Sequence, residues 1–259
     1  MYSSCGSLLS FDFLDNNKLA LIIAGTSEVG QGLIEKLIMD GFSVVFTWNS
    51  NRSACELIKT NYGDKVSAIK LDLTSENSVR EFCCLVSDIE FEVAIYCAGY
   101  NPAKLCSDLE FSMLRDTTSL NFLSGVAIFN AVVMKMKQNK LKDSKLVFIS
   151  SVASQRTSVG NSIYGATKQA MERYLSTLAL EEARFNIRTI CISPGYIKTK
   201  MLDEYCQSRG ENISSIIKNI PMRKILNVDD VVKCIMAFLG GLITTTGTSL
   251  IIGNGEGIR

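Results

Sequence analysis

Short apolar runs alternate along the chain with longer amphipathic stretches, and this alternation predicts most of its elements. Residues 19–24, LALIIA, are apolar without a break, as suits a parallel strand buried on both faces. A glycine-containing turn follows, then a helix over 29–40 stopped by Gly41. Further strands are expected at 43–48, 66–71, 93–97, 145–150, 187–193 and 249–252. Helices are expected from the polar break at 49–53 through residue 62, at 75–87, at 111–137 as one or two pieces, at 163–183 and at 229–239, the last capped by Asn227 or Asp229. Strands alternating with helices mean βαβ units. The predicted fold class is α/β: a single doubly wound Rossmann-type domain, with a seven-stranded, mainly parallel sheet and helices on both faces.

Residues 1–17 read as a loosely attached lead-in, with Leu8, Leu9 or Phe11 available to pack on the body, and 18–259 as one domain. The stretch 194–226 is long and irregular with short helices, the kind of insert that covers an active site.

Composition narrows the chemistry. The chain of 259 residues carries 27 basic and 26 acidic side chains, which leaves no electrostatic footprint for nucleic acid or an anionic membrane, and neither is an expected partner. It contains no His, so Ser-His-Asp and Cys-His nucleophiles and His-containing zinc sites are excluded. Proton chemistry falls to Tyr, Lys, Cys or carboxylates, and no metal is expected. Nine Cys, with Cys83 and Cys84 adjacent and no C-x-x-C pair, suit reduced thiols. The N-terminus lacks a basic region followed by a sustained apolar one, and no apolar run approaches about 18 residues. A cytoplasmic protein is expected.

The richest stretch is 145–168, KLVFISSVASQRTSVGNSIYGATK. An apolar strand ends on Ser150 and Ser151, and a polar loop leads into a helix carrying Tyr164 and Lys168, which at i and i+4 share one face. A nearby ammonium favours the phenolate and is expected to lower the Tyr pKa from about 10. A Ser hydroxyl from the strand end would bond the same substrate oxygen. Y-x-x-x-K also arises by chance, so the pair gains meaning only from context. Upstream, the turn near Gly25 and the helix starting near Gly30 place backbone N–H groups and a positive dipole end where a diphosphate would sit.

With these residues the chain resembles the short-chain dehydrogenase/reductases, from about residue 18 to residue 255. The likeness runs through Ile23-Ala24-Gly25-Thr26-Ser27-Glu28-Val29-Gly30 for T-G-x-x-x-G-x-G, Leu71-Asp72-Leu73, and Cys97-Ala98-Gly99 for N-A-G. It continues through Asn121, Ser151, Tyr164-x-x-x-Lys168, Pro194-Gly195 with Thr199, and Thr246-Gly247. The resemblance implies hydride transfer between a nicotinamide and a carbonyl or secondary alcohol. Tyr164 would be the proton donor or acceptor, Ser151 would polarise the carbonyl, Lys168 would hold the nicotinamide ribose, and Asn121 would help position a proton-relaying water. The dinucleotide would lie along Gly25, Thr26, Ser27, Val29, Asn49, Arg52, Asp72, Leu73, Cys97, Ala98, Gly99, Tyr164, Lys168, Pro194, Gly195, Ile197 and Thr199. A homotetramer or homodimer is implied as well, built on the long helices near 111–137 and 162–183 and the last strand.

Three departures stand out. Ala24 occupies the place of the first motif glycine and Glu28 that of the second, which predicts weaker cofactor binding unless the carboxylate points to solvent or caps a helix N-terminus. Cys97 replaces the Asn of N-A-G, and Gly253-Asn254-Gly255 only approximates the family's ending. Thr47-Trp48-Asn49-Ser50-Asn51-Arg52 carries no carboxylate to bind the ribose hydroxyls of NAD, and Arg52 would reach a 2′-phosphate. NADPH is therefore expected over NADH.

The expected function is an NADPH-dependent ketoreductase of a 3-oxoacyl thioester. Lys135, Lys137, Lys140, Lys142 and Lys145 would dock an acidic acyl carrier protein, unless they are only a solvated helix end. The alternatives are a reductase or dehydrogenase of a free small ketone, alcohol or sugar, and a catalytically silent nucleotide-binding scaffold. An apolar substrate lining is expected from Phe111, Val152, Tyr196, Met201, Leu202 and Tyr205.

Overall fold

A computed structural model describes residues 18–138 and 143–258. Apolar runs become strands β1 (Lys18–Ile23), β2 (Phe42–Trp48), β3 (Val66–Lys70), β4 (Val93–Tyr96), β5 (Ser144–Ile149), β6 (Ile187–Pro194) and β7 (Thr248–Ile252). They form one sheet in the order β3-β2-β1-β4-β5-β6-β7. Every pairing is parallel, so the expected "mainly parallel" sheet is parallel throughout.

The connecting helices are α1 (Glu28–Met39), α2 (Arg52–Tyr62), α3 (Glu76–Val86), α4 (Phe111–Thr118), α5 (Ser124–Met136), α6 (Ser162–Glu182), α7 (Lys200–Arg209), α8 (Ile213–Asn219) and α9 (Val228–Leu239). Local chemistry fixes their starts. Ser27, Asn51, Ser75 and Asn212 cap α1, α2, α3 and α8 with side-chain oxygens, and Asn227 forms a capping box with Asp230 at α9.

Parallel crossovers place helices on both sheet faces, which is why the strands are apolar on both sides. On one face Val79 and Phe82 of α3, Ile128 and Val132 of α5, and Met171 and Leu175 of α6 meet Leu21, Tyr96 and Phe148. On the other, Leu33 and Leu37 of α1, Ile58 of α2, and Val231 and Ile235 of α9 meet Ile22, Phe46 and Ile190. The strand order reverses between β1 and β4, and loops from both sides part there above the carboxyl ends of the strands.

The helical stretch expected at 111–137 is divided by a π turn, Ser119–Leu123, between α4 and α5. By length and composition Phe111–Met136 is long and apolar enough to cross a membrane, although Arg115, Asp116 and Asn121 interrupt it. Here it is a core helix: Ile128, Phe129, Val132, Val133 and Met136 are buried against the sheet. Residues 194–226 fold as α7, α8 and connections, and their two ends are tied by a bridge between Ile197 and Leu226. The expected lead-in 1–17, and Lys140 and Lys142, lie outside the described residues.

Candidate active site

At the carboxyl end of β1 the chain turns sharply into α1. Ala24 adopts φ 60°, its N–H donates to the Thr47 hydroxyl (2.9 Å), and its oxygen accepts the Ser27 hydroxyl (2.8 Å). The Ser27 oxygen accepts Gly30 N–H at 3.1 Å. A Cβ on Gly30 would stand 2.6 Å from the Ala24 oxygen, so only glycine lets α1 begin this close to the turn. The result is a helix N-terminus opening on the cleft, of the kind that receives a phosphate.

Glu28 has taken one of its two expected escapes. Its carboxylate accepts the backbone N–H of Lys200, the first residue of α7, at 2.8 Å.

Across the cleft, β5 delivers Ser151, whose hydroxyl accepts Ala153 N–H (3.2 Å) and so opens the 3-10 turn Val152–Ser154. A Cβ on Gly165 would lie 2.4 Å from the Ala153 oxygen, so this glycine lets α6 press against the Ser151 turn. Tyr164 and Lys168, both buried, follow on that face of α6. Lys168 donates Nζ to the main-chain oxygens of Ile149 (2.8 Å) and Ala98 (3.2 Å), and lies 4.5 Å from the Phe148 ring centroid and 5.8 Å from that of Tyr164.

The titration pattern corrects one expectation. Burial pushes the Tyr164 phenol up from its usual range, and the opposing influence is the Ser151 hydroxyl rather than Lys168. Burial also pulls the Lys168 ammonium down to about 7, only partly offset by its electrostatic interaction with Cys97, Cys191 and Glu172. In this low-dielectric pocket desolvation outweighs the pairing that the sequence brought to mind. Cys97 behind Lys168 is itself pushed up to about 12 by burial, so it is a neutral thiol.

Asn121 sits fully buried in the π turn. It accepts Tyr100 N–H and donates to the Tyr100 oxygen, both at 2.9 Å, and donates to the Thr167 hydroxyl at 3.1 Å. Thr167 in turn donates to the Tyr164 main-chain oxygen (2.9 Å). Asn121 thus pins the loop after Gly99 to α6, between Tyr164 and Lys168.

These elements surround a cavity of about 430 Å³. Ser151, Tyr164 and Lys168 line it together with Ser27, Val29, Cys97, Ala98, Gly99, Pro194, Gly195, Ile197 and Thr199. Gly25, Thr26, Asn49, Arg52, Asp72, Leu73 and Asn121 are outside its lining. Of these, Asn49 and Arg52 are exposed at the end of β2 and the start of α2, and Asp72 accepts both the N–H (2.9 Å) and the hydroxyl (2.7 Å) of Thr74. The apolar lining includes Val152, Tyr196, Met201, Leu202 and Tyr205 as expected. Phe111 does not belong to it: it opens α4 and is 79% exposed.

One feature escaped the sequence reading. Glu172, one turn beyond Lys168, accepts three serine hydroxyls on a single oxygen. Its place four residues after the lysine was the available signal.

A Tyr-Lys pair and a Ser around a cleft that opens on a helix N-terminus suit a nicotinamide-dinucleotide-dependent oxidoreductase acting on CH–OH or C=O groups, the class to which the family match assigns the chain. The sequence profile of the short chain dehydrogenase family matches residues 18–210, and the chain belongs to that family. Among its relatives is a 3-oxoacyl-[acyl-carrier-protein] reductase FabG of Buchnera aphidicola, 25% identical over 218 residues, covering 83% of this chain and 87% of the relative. An acetoacetyl-CoA reductase of Allochromatium vinosum is 27% identical over 234 residues, covering 86% and 91%. The solved structure described as ElxO with NADP bound superposes with a TM-score of 0.82 at 24% identity, covering 94% of this chain and 100% of that one.

Proposed function

We propose that the protein is an NADPH-dependent ketoreductase that converts a 3-oxoacyl thioester to the secondary alcohol. The observation that carries this reading is the convergence of Ser151, Tyr164 and Lys168 on one cavity with the Gly25–Gly30 turn. The residues present fit a dinucleotide: the turn offers amides and a positive helix end, held close by Gly30, where a Cβ would stand 2.6 Å from the Ala24 oxygen, and Lys168 borders the same cleft. When bound, the cofactor supplies the hydride. Tyr164 donates the proton to the carbonyl oxygen, and a phenol held protonated by burial suits that direction. Ser151 bonds the same oxygen and orients it, Lys168 holds the ribose, and Asn121 keeps the Tyr100 loop and α6 in register.

NADPH is favoured because β2 ends without a carboxylate and Arg52 opens α2 with an exposed guanidinium. Residues 194–226 cover the substrate, with Tyr196, Met201, Leu202 and Tyr205 as its apolar lining. The two relatives that reduce 3-oxoacyl substrates support the thioester class. Outward-facing Leu123, Met134 and Leu180 on the α5 and α6 side support a homodimer or homotetramer, and a cytoplasmic place belongs to the same reading.

A free small ketone is the second reading, favoured by one observation. Lys137 and Lys145, two members of the presumptive carrier-docking cluster, are engaged by Glu182 (2.9 Å) and Asp143 (2.8 Å). NADPH oxidation with acetoacetyl thioesters, carrier-bound and free, tests the function. Turnover is expected to fall by about 10²-fold or more in Tyr164→Phe. Wild-type turnover in that variant would remove the assignment, and equal use of both thioesters would remove the carrier.

A further inference from the structure

Tyr164, Lys168 and Glu172 stand at i, i+4 and i+8 on α6 and share one stripe of its surface. The third has no part in the reaction as proposed, yet its bonding is unusual. Glu172 Oε1 accepts the hydroxyls of Ser150 (2.5 Å), Ser154 (2.7 Å) and Ser193 (2.8 Å), all three of them buried. Hydrogen bonds to an ionised acceptor are shorter and stronger than neutral ones, and three on one oxygen make a tight clamp.

The sequence positions of the serines give the clamp its meaning. Ser150 directly precedes Ser151, and Ser154 closes the turn that Ser151 opens, its one hydroxyl proton shared between Glu172 Oε1 and the Ser151 main-chain oxygen, both at 2.7 Å. Ser193 directly precedes Pro194-Gly195, and its hydroxyl meets that of Ser249 on β7 at 2.8 Å. One carboxylate oxygen therefore touches the residue before each of the two loops that flank the cleft, from the helix that carries Tyr164 and Lys168.

We propose that Glu172 is a positioning residue of the reaction, whose Oε1, clamped to Ser150, Ser154 and Ser193, sets the spacing between the Ser151 turn, the Pro194-Gly195 loop and the Tyr164–Lys168 face of α6. The proposal rests on the reading of Tyr164 as the reacting acid. A reacting group displaced by about 1 Å loses about 10²-fold in rate, so such a clamp has catalytic weight without touching substrate. It is also electrostatically coupled to the site: Glu172 supports the charged form of Lys168 against burial. The other groups facing that ammonium are Tyr164 one turn earlier, Cys97 beyond β4 and Cys191 on β6.

Glu172→Gln is the test, with Tyr164→Phe run beside it in the full chain. In Glu172→Gln, kcat should fall about 10- to 100-fold while NADPH affinity, read by fluorescence, stays within about threefold. The alkaline limb of kcat/KM should move to lower pH, because Lys168 loses one of the groups that support its charged form against burial; a purely structural lesion would leave that limb in place. Turnover within about twofold of wild type with an unmoved limb overturns the proposal. An inert Tyr164→Phe beside an unimpaired Glu172→Gln sinks the proposal alone, whereas an active Tyr164→Phe sinks the reading beneath it. Should Glu172→Gln not fold, the Ser150→Ala/Ser193→Ala double variant decides. A loss of about tenfold in kcat with unchanged circular dichroism supports the clamp, and wild-type kcat refutes it.

Discussion

The Oε1 atom of Glu28 lies 2.8 Å from the backbone nitrogen of Lys200, joining the start of α1 to the start of α7 across 172 residues of chain. Thr199, the residue in the N-cap position of α7, makes no side-chain cap and turns its hydroxyl to the Ile197 oxygen instead (3.3 Å). The carboxylate fills that gap and faces a positive helix end. It also lines the cavity, where it would repel a diphosphate drawn to the neighbouring amides.

Glu28→Gln removes that repulsion and keeps an acceptor for Lys200. NADPH should bind about 3- to 10-fold more tightly in low salt, and the gain should shrink as salt is raised. Fluorescence titration at two ionic strengths reads both effects. An identical Kd for the two proteins in low salt would show that the carboxylate is too well occupied by α7 to matter. Glu28→Ala, which removes the acceptor as well, should speed amide exchange across 200–209.

Ala24 holds φ 60° where a Cβ is disfavoured. Replacing it by Gly relieves about 1–2 kcal/mol of strain and costs about 0.5–1 kcal/mol of unfolded-chain entropy. The variant should therefore be more stable by about 0.5–1 kcal/mol in urea unfolding. A destabilised Ala24→Gly would mean that the methyl group's packing outweighs the strain.

Lys168 makes stability depend on pH in a defined direction. Its folded pKa, about 7, lies below the ordinary lysine value, so between the two the unfolded chain binds the extra proton. Stability contributed by this group therefore rises as pH climbs from about 7 toward 10, and is at its lowest below 7, where burying the ammonium is penalised in full. Urea midpoints of the wild type should gain on those of Lys168→Met over that interval. Parallel curves would place the lysine's titration elsewhere.

Arg52 opens α2 at the end of β2, and Asn51 caps that helix by accepting Ala54 N–H at 3.1 Å. Arg52→Glu leaves the cap intact and reverses the charge offered to a 2′-phosphate. The ratio of NADPH to NADH affinity should fall by at least about tenfold. A ratio that does not move would separate Arg52 from cofactor choice.

What could be read from the chain and what could not divide along physical lines. Inner strands such as β1 and β4 were legible because burial on both faces leaves an unbroken apolar run, the half-exposed edge strands β3 and β7 from shorter apolar stretches, and α1 because Gly41 ends it at φ 83°. Tyr164 and Lys168 were legible because helical spacing alone puts them on one face. The π turn carries no such signature: Ser119–Leu123 differs from its flanks only by one extra residue in the turn, and Asn121, bonded there to Tyr100, lies within it. The titration of Tyr164 went against expectation because spacing reports neighbours and says nothing about how much water they have lost. The Glu172 clamp joins β5, β6 and α6, and no local pattern links three serines to an acid on another element.

The bridge between Ile197 and Leu226 has an evolutionary side. Leu226 donates its N–H to Tyr196 (2.9 Å) and accepts that of Lys198 (2.9 Å), so the segment leaves and rejoins the sheet side by side, and between those ends it is tied to the body at Lys200, Arg209 and Met222. Insertions or deletions between these ties are the ones a closed loop absorbs with little displacement of the sheet. In descendants of this chain, changes between those ties would reshape the apolar lining at Met201, Leu202 and Tyr205 and leave the Ser151 turn where it is.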